Sequence, residues 1–217
     1  MSYAREERTA LCALLDATGP DAPTLCAGWR TRDLAAHLVL RERRPDAAAG
    51  LVIGPLERHT QRVHQALASR ARFRDLVEQI RTGPPALSFF RLPGMDDRAN
   101  TVEFFVHHED VRRAADGWQP RDIAAGLTET LWQRLRLARL LLRRVPVGVE
   151  LVRDDVAAAP GHGRVRIMAS AKTPVVTVTG HPAELTLWVL GRRTAAKVRV
   201  DGGDEDVRKL ERARWRA

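Results

Sequence analysis

The feature that most restricts how this chain can fold is a change of texture at Pro146. Before it, apolar residues recur every three to four positions; after it, they come in short β-branched runs bounded by Gly, Pro and Asp. The first periodicity belongs to amphipathic helices and the second to strands. The expected fold class is α+β: an up-down helical bundle of four-helix type over residues 1–145, then a small α+β domain over 146–217.

Within the helical part, Leu11, Leu14 and Leu15 share a stripe in a helix over 3–17, which "TGPDAP" stops. Thr31 is the expected N-cap of "RDLAAHLVLRERR", Asp33 suits the positive end of that helix, and Pro45 marks its far end. Leu34, His37, Leu38 and Arg41 follow one another at helical steps, so His37 lies on or beside the apolar face. A third helix is expected over 56–82, closed by "TGPP", a fourth over 97–115 with Gly117 as its stop, and a further one over 122–144. Beyond Pro146, "VGVELV", "GRVRIMA", "PVVTVTG" and "AAKVRVDG" read as strands, and "HPAELTLWVLG" and "DEDVRKLERARW" as helices.

A hydrophobic content of 44% over 217 residues supports a packed core. The formal net charge of +9 invites a nucleic-acid reading, but the charge is not clustered. Lysine occurs only at Lys172, Lys197 and Lys209, and the arginines are scattered among Asp and Glu from Arg5 to Arg216. With no nucleic-acid motif beside this charge, such a partner is not expected. No apolar run approaches the roughly 20 residues that span a bilayer. The opening "MSYAREERTALCALL" lacks the apolar block of a signal peptide, so the expectation is a cytoplasmic protein without a membrane partner, monomeric or homodimeric. Cys12 and Cys26 have no CxxC spacing and read as small buried hydrophobes.

The chemistry concentrates in "VEFFVHHED", residues 102–110. Glu103 and His107 lie four residues apart, which stacks them on one helix face. That spacing alone more often marks an exposed i,i+4 polar pair than two metal ligands. Val102, Phe105 and Val106 set the pair at the edge of an apolar stripe, where an uncompensated charge is costly and a cation is a good partner. The strongest third ligand is His37, and a His, His, Glu set leaves one position open, as in catalytic rather than structural zinc sites. Asp110 follows His107 by three residues, either as a hydrogen-bond acceptor or proton-handling group for the site or as a solvated acid. His108 and Glu109 point away and are assigned to surface or packing. His59, His64, His162 and His181 are given no chemistry.

The segments "LCAGWRTRDLAAHLVLRERRPDA" and "NTVEFFVHHEDVRRA" resemble the mycothiol-dependent maleylpyruvate isomerase family, within the DinB-like metal-binding superfamily. "GHPAELTLWVLGRR" is similar to a stretch of the sterol-carrier-like C-terminal domain of such proteins. The resemblance implies a DinB-like bundle holding a divalent metal, usually zinc, on His37, Glu103 and His107, with water or a thiol cofactor, mycothiol, in the open position. It also implies catalytic roles for Asp110 and for Arg192 or its neighbour Arg193, of which Arg192 is carried forward. Arg41, one turn after His37, is the candidate for meeting an anionic cofactor or substrate, beside the reading of a solvated or salt-bridged arginine. A cation beside a thiol stabilises the nucleophilic thiolate. In an isomerase the thiolate adds to a conjugated double bond, allows rotation and leaves; in an S-transferase it attacks an electrophilic carbon and stays. "RERRPDA" departs from the true isomerases and is closer to an uncharacterised metal-binding branch, which leaves the small electrophilic substrate unnamed. The competing expectation is a non-catalytic protein that binds a metal or an apolar ligand.

Overall fold

The computed structural model describes residues 2–48, 50, 54–85, 88, 94–156 and 165–215. His162 lies outside them. The chain divides into two compact units, Met1–Pro120 and Arg121–Ala217.

The first unit is helical: α1 Tyr3–Thr18, α2 Thr31–Arg43, α3 Pro45–Ala48, α4 Glu57–Arg70, α5 Phe73–Arg81 and α6 Met95–Arg112. Ser2 caps α1, its hydroxyl accepting from Arg5 N. Arg30, not Thr31, occupies the N-cap of α2, and Asp33 Oδ2 accepts from Arg30 N at 2.9 Å. Thr31 is instead the first helical residue, and its hydroxyl donates to the Gly19 carbonyl at 2.5 Å. The single helix expected over 56–82 is two, because Ala71 turns extended (ψ 148°). The break lets α5 press Leu76, Val77 and Ile80 toward α1 and α2, while α4 keeps to α2. These residues close a core with Leu11, Leu15, Leu34, Leu38 and Phe104. At about 25 cal/mol per Å2 of apolar surface removed from water, each fully buried leucine contributes roughly 1.5–3 kcal/mol. α6 packs along α1, and from Phe104 to Val111 every residue is buried.

The second unit combines α7 Ala125–Arg134, a 3-10 turn at Leu135–Leu137 and α8 Ala138–Leu142 with β1 Gly148–Arg153, β2 Arg166–Ser170, β3 Val175–Gly180, α9 Pro182–Val189, β4 Arg199–Asp201 and α10 Asp204–Arg212. The sheet order is β2-β1-β3-β4, with β1 and β3 parallel and the outer pairings antiparallel. Val149, Leu151, Val176 and Val178 alternate with less buried residues, as strands with one face on a core require. Trp132, Leu135, Ala138 and Leu142 join that same core. The division therefore falls at Pro120/Arg121, not at the expected 145/146: the helices before Pro146 have their apolar faces on this sheet's core. Among the described residues no helix is long and apolar enough to cross a membrane.

Candidate metal centre

Two helices and one loop of the first unit build the site. His37 and Arg41 come from successive turns of α2, and Glu103, His107 and Asp110 from successive turns of α6. The loop between α1 and α2 is tied down by Leu25 N donating to the Asp110 carbonyl at 3.0 Å. It turns sharply at Gly28, whose φ of 77° is a conformation that suits glycine. The turn delivers Trp29 beside the site: its ring lies 5.2 Å from that of His37 and stacks on His64 at 4.9 Å.

The structure brings His37, Glu103 and His107 together. His37 Nε2 lies 3.2 Å from Glu103 Oε1, and His107 Nε2 lies 3.3 Å from the same oxygen. The two imidazole rings meet edge to face, 5.2 Å apart and inclined by 72°. Bonds of about 2.0–2.2 Å to a tetrahedral zinc separate ligand atoms by roughly 3.3–3.6 Å. Both separations to Glu103 Oε1 are already close to this, and the three ligand atoms lie within 4.8 Å of one another. Glu103 keeps 26% of its side chain exposed and His37 13%, so the set opens to solvent on one side.

Electrostatics give each group a distinct state. Burial opposes the charged form of Glu103, but the hydrogen bonds from His107 and His37 and the charges of His107 and Arg41 outweigh it and hold the carboxyl well below its ordinary range. Burial likewise opposes a charged His107; hydrogen bonds to Asp110, Cys26 and Glu103 overcome it and raise the ring well above the ordinary histidine value. His37 goes the other way, because burial dominates its contact with Glu103. Without an ion, these shifts favour a charged His107 beside the Glu103 carboxylate and a neutral His37. A divalent ion fits this donor set: it puts positive charge where the site already holds a proton for the same carboxylate.

Asp110 is completely buried, and its Oδ2 accepts from His107 Nδ1 at 2.9 Å. This bond fixes the ring and turns Nε2 toward Glu103. Arg41 Nε lies 3.4 Å from Glu103 Oε1, its NH2 donates to the Ala99 carbonyl at 2.9 Å, and its NH1 bonds Asn100. Arg41 thus borders the metal set as a guanidinium that already grips Glu103. Arg192 belongs to the second unit, where its guanidinium donates to the Leu190 carbonyl at 2.5 Å.

His108 and Glu109 are buried packing groups, not surface ones. His108 Nδ1 contacts Glu7 Oε2 at 3.2 Å, and Glu109 pairs with Arg113 at 2.6 Å and with Arg112 at 3.0 Å. Cys26 was read from sequence as a small hydrophobe, yet its Sγ sits 3.2 Å from Asp110 Oδ2. A lone cysteine so far from Asp110 along the chain gives no spacing signal, and only the loop's anchoring on α6 reveals it. Trp29 and His64 were missed for the same reason.

Residues 2–86 match the family model of the mycothiol maleylpyruvate isomerase N-terminal domain. The match lies wholly within the first unit. The isomerase match contains Cys26, Trp29, His37 and Arg41 and ends before Glu103, so the α6 half of the site stands on geometry. No curated protein and no solved structure matches the chain.

Proposed function

We propose that the chain is a zinc-dependent enzyme that uses mycothiol on a small electrophilic substrate, as an isomerase or S-transferase. The observation that carries the metal part is the convergence of His37 Nε2 and His107 Nε2 on one oxygen of Glu103, at 3.2 and 3.3 Å. The thiol part is supported by the isomerase-family match over residues 2–86. An ion held by His37, Glu103 and His107 with one position open would supply a place where a thiol binds as its thiolate, the nucleophilic form.

The chain's own residues set the conditions for that chemistry. Asp110 accepts a hydrogen bond from His107 Nδ1–H, a tautomer that leaves the Nε2 lone pair for the ion. Arg41 holds Glu103 in place, and its cationic edge is the candidate contact for an anionic part of the cofactor. Trp29, against His37 and His64, walls one side of the ligand set. Asp110 and Arg192 are the proposed catalytic groups, Asp110 through its hydrogen bonds at the site and Arg192 through the resemblance of "LGRR" to a C-terminal family motif.

The test joins metal analysis to a thiol assay. The purified chain is expected to hold stoichiometric zinc, which His37→Ala loses. Incubated with mycothiol and a panel of conjugated or halogenated electrophiles, it should give isomerised product or thiol adduct in a metal-dependent manner. A chain without zinc overturns the reading; zinc without turnover across the panel moves the assignment to a non-catalytic metal-binding protein.

A further inference from the structure

The carboxylate of Asp110 faces two donors at once. Its Oδ2 lies 2.9 Å from His107 Nδ1 and 3.2 Å from Cys26 Sγ. Cys26, His107 and Asp110 can each place one ligand atom within 4.8 Å of the others'. This set lies on the opposite edge of the His107 ring from Glu103, which the Nε2 atom faces.

We propose that Cys26 Sγ, His107 Nδ1 and Asp110 Oδ2 form a second cation position, selective for a thiophilic divalent ion. Tetrahedral bonds of about 2.0–2.3 Å to oxygen, nitrogen and sulfur need ligand separations of roughly 3.3–3.7 Å. The two separations from Asp110 Oδ2 reach this by opening a few tenths of an ångström, and Cys26 Sγ and the His107 ring nitrogen lie within 4.8 Å of each other. The frame that holds them is built: Leu25 N is bonded to the Asp110 carbonyl, Cys26 N to Thr24 Oγ1 at 3.2 Å, and Trp29 N to the Cys26 carbonyl at 2.9 Å. Asp110 is fully buried and His107 7% exposed, while Cys26 keeps partial access, so an ion has an entry at the sulfur side.

Loading is balanced in protons. One divalent ion enters; the thiol proton of Cys26 and the Nδ1 proton of His107 leave to solvent as the metal–sulfur and metal–nitrogen bonds form. With the first position filled, four negative groups face the two ions, beside the Arg41 guanidinium at Glu103. These are Glu103, Asp110, the Cys26 thiolate and a His107 ring that has given up both protons, each contributing one negative charge. A thiolate selects softer ions such as zinc, cadmium or cobalt over magnesium or calcium. The position does not depend on the thiol-enzyme reading, because Cys26 and Asp110 are not ligands of the first.

Cobalt(II) titration of the full chain tests it, since cobalt bound to a thiolate shows a near-ultraviolet charge-transfer absorption that histidine and carboxylate ligands do not give. The band is expected in the natural protein and in Cys12→Ala, and is lost completely in Cys26→Ala and Cys26→Ser; serine keeps a hydrogen bond to Asp110 and so controls for folding. Absence of the band from the natural protein at saturating cobalt overturns the proposal, as does its survival in Cys26→Ala. The visible d–d absorption of Cys26→Ala reports the His37, Glu103, His107 position separately. Its absence, with the charge-transfer band present in the natural protein, would sink the first site and leave the second standing.

Discussion

In the first unit the long helix α6 carries Asn100, Thr101, His107, His108, Glu109 and Asp110 away from solvent. The second unit closes over Trp132, Leu142, Val149, Leu151, Val178 and Trp188, and buries fewer polar groups, Thr128, Arg153, Ser170, Glu184 and Thr186. Burying polar and charged groups costs free energy unless each finds a partner, so the first interior is organised by pairing and the second by packing. The pairing is thorough: Arg8 bridges Glu42 and Asp96, Asn100 bonds Glu42, and His108 meets Glu7. Among the described residues no buried side-chain nitrogen or oxygen lacks a partner. Where the pairing opens to solvent, at Glu103 and His37, lies the proposed metal site.

The largest break in this comparison is the removal of a ligand. His107→Ala takes away an imidazole that meets both Glu103 and Asp110, and the metal affinity should fall by more than the roughly 100-fold typical of losing an outer hydrogen-bond partner. Atomic absorption on the dialysed protein reads this directly. Leu151→Ala, in the other unit, should leave the metal content unchanged.

Stability sorts the two interiors next. Glu109 is fully buried against Arg113, whose own side chain is 1% exposed and lies over the Trp118 ring at 4.4 Å. Glu109→Ala removes the carboxylate paired with that buried guanidinium, and a loss of about 3–5 kcal/mol is expected in urea unfolding. Leu151→Ala leaves a cavity in the sheet core and should cost about 2–5 kcal/mol, with the unfolding transition still cooperative. If Glu109→Ala were neutral, the charge pairs of α6 would not be what stabilises the first interior.

Much of this division could be read along the chain. Leu34, His37, Leu38 and Arg41 repeat at helical steps and Glu103 and His107 share a helix face, so spacing placed the proposed ligands, while their apolar neighbours and the family resemblance singled them out. The strands were found by their β-branched runs. Helix breaks were not: Ala71 gives no Gly or Pro signal, and packing of α5 against α1 and α2 decides it. The unit boundary failed for a related reason. Helical periodicity in 122–144 says that the segment has an apolar face, but not which core receives it, and here that core is the sheet's. Cys26 was invisible because its partner Asp110 lies on another element and meets it only through the anchored loop.

The smallest effect is also the most discriminating. Asp110→Asn keeps an oxygen to accept from His107 Nδ1 but removes the charge, and the metal affinity should fall about 10- to 100-fold near neutral pH. Its pH dependence has a definite sign. In the ion-free protein His107 holds its proton well above the ordinary histidine range, because its hydrogen bonds to Asp110, Cys26 and Glu103 outweigh burial. An entering ion must displace that proton, so the natural protein's affinity rises with pH until the raised pKa is passed. Removing the Asp110 charge loosens the proton and moves this rise to lower pH. The gap between the natural protein and Asp110→Asn should therefore narrow as the pH falls, a trend that zinc titrations with a competing chelator across the pH range would show. A gap that widens instead would mean that Asp110 acts on the fold around α6 rather than on the charge of His107.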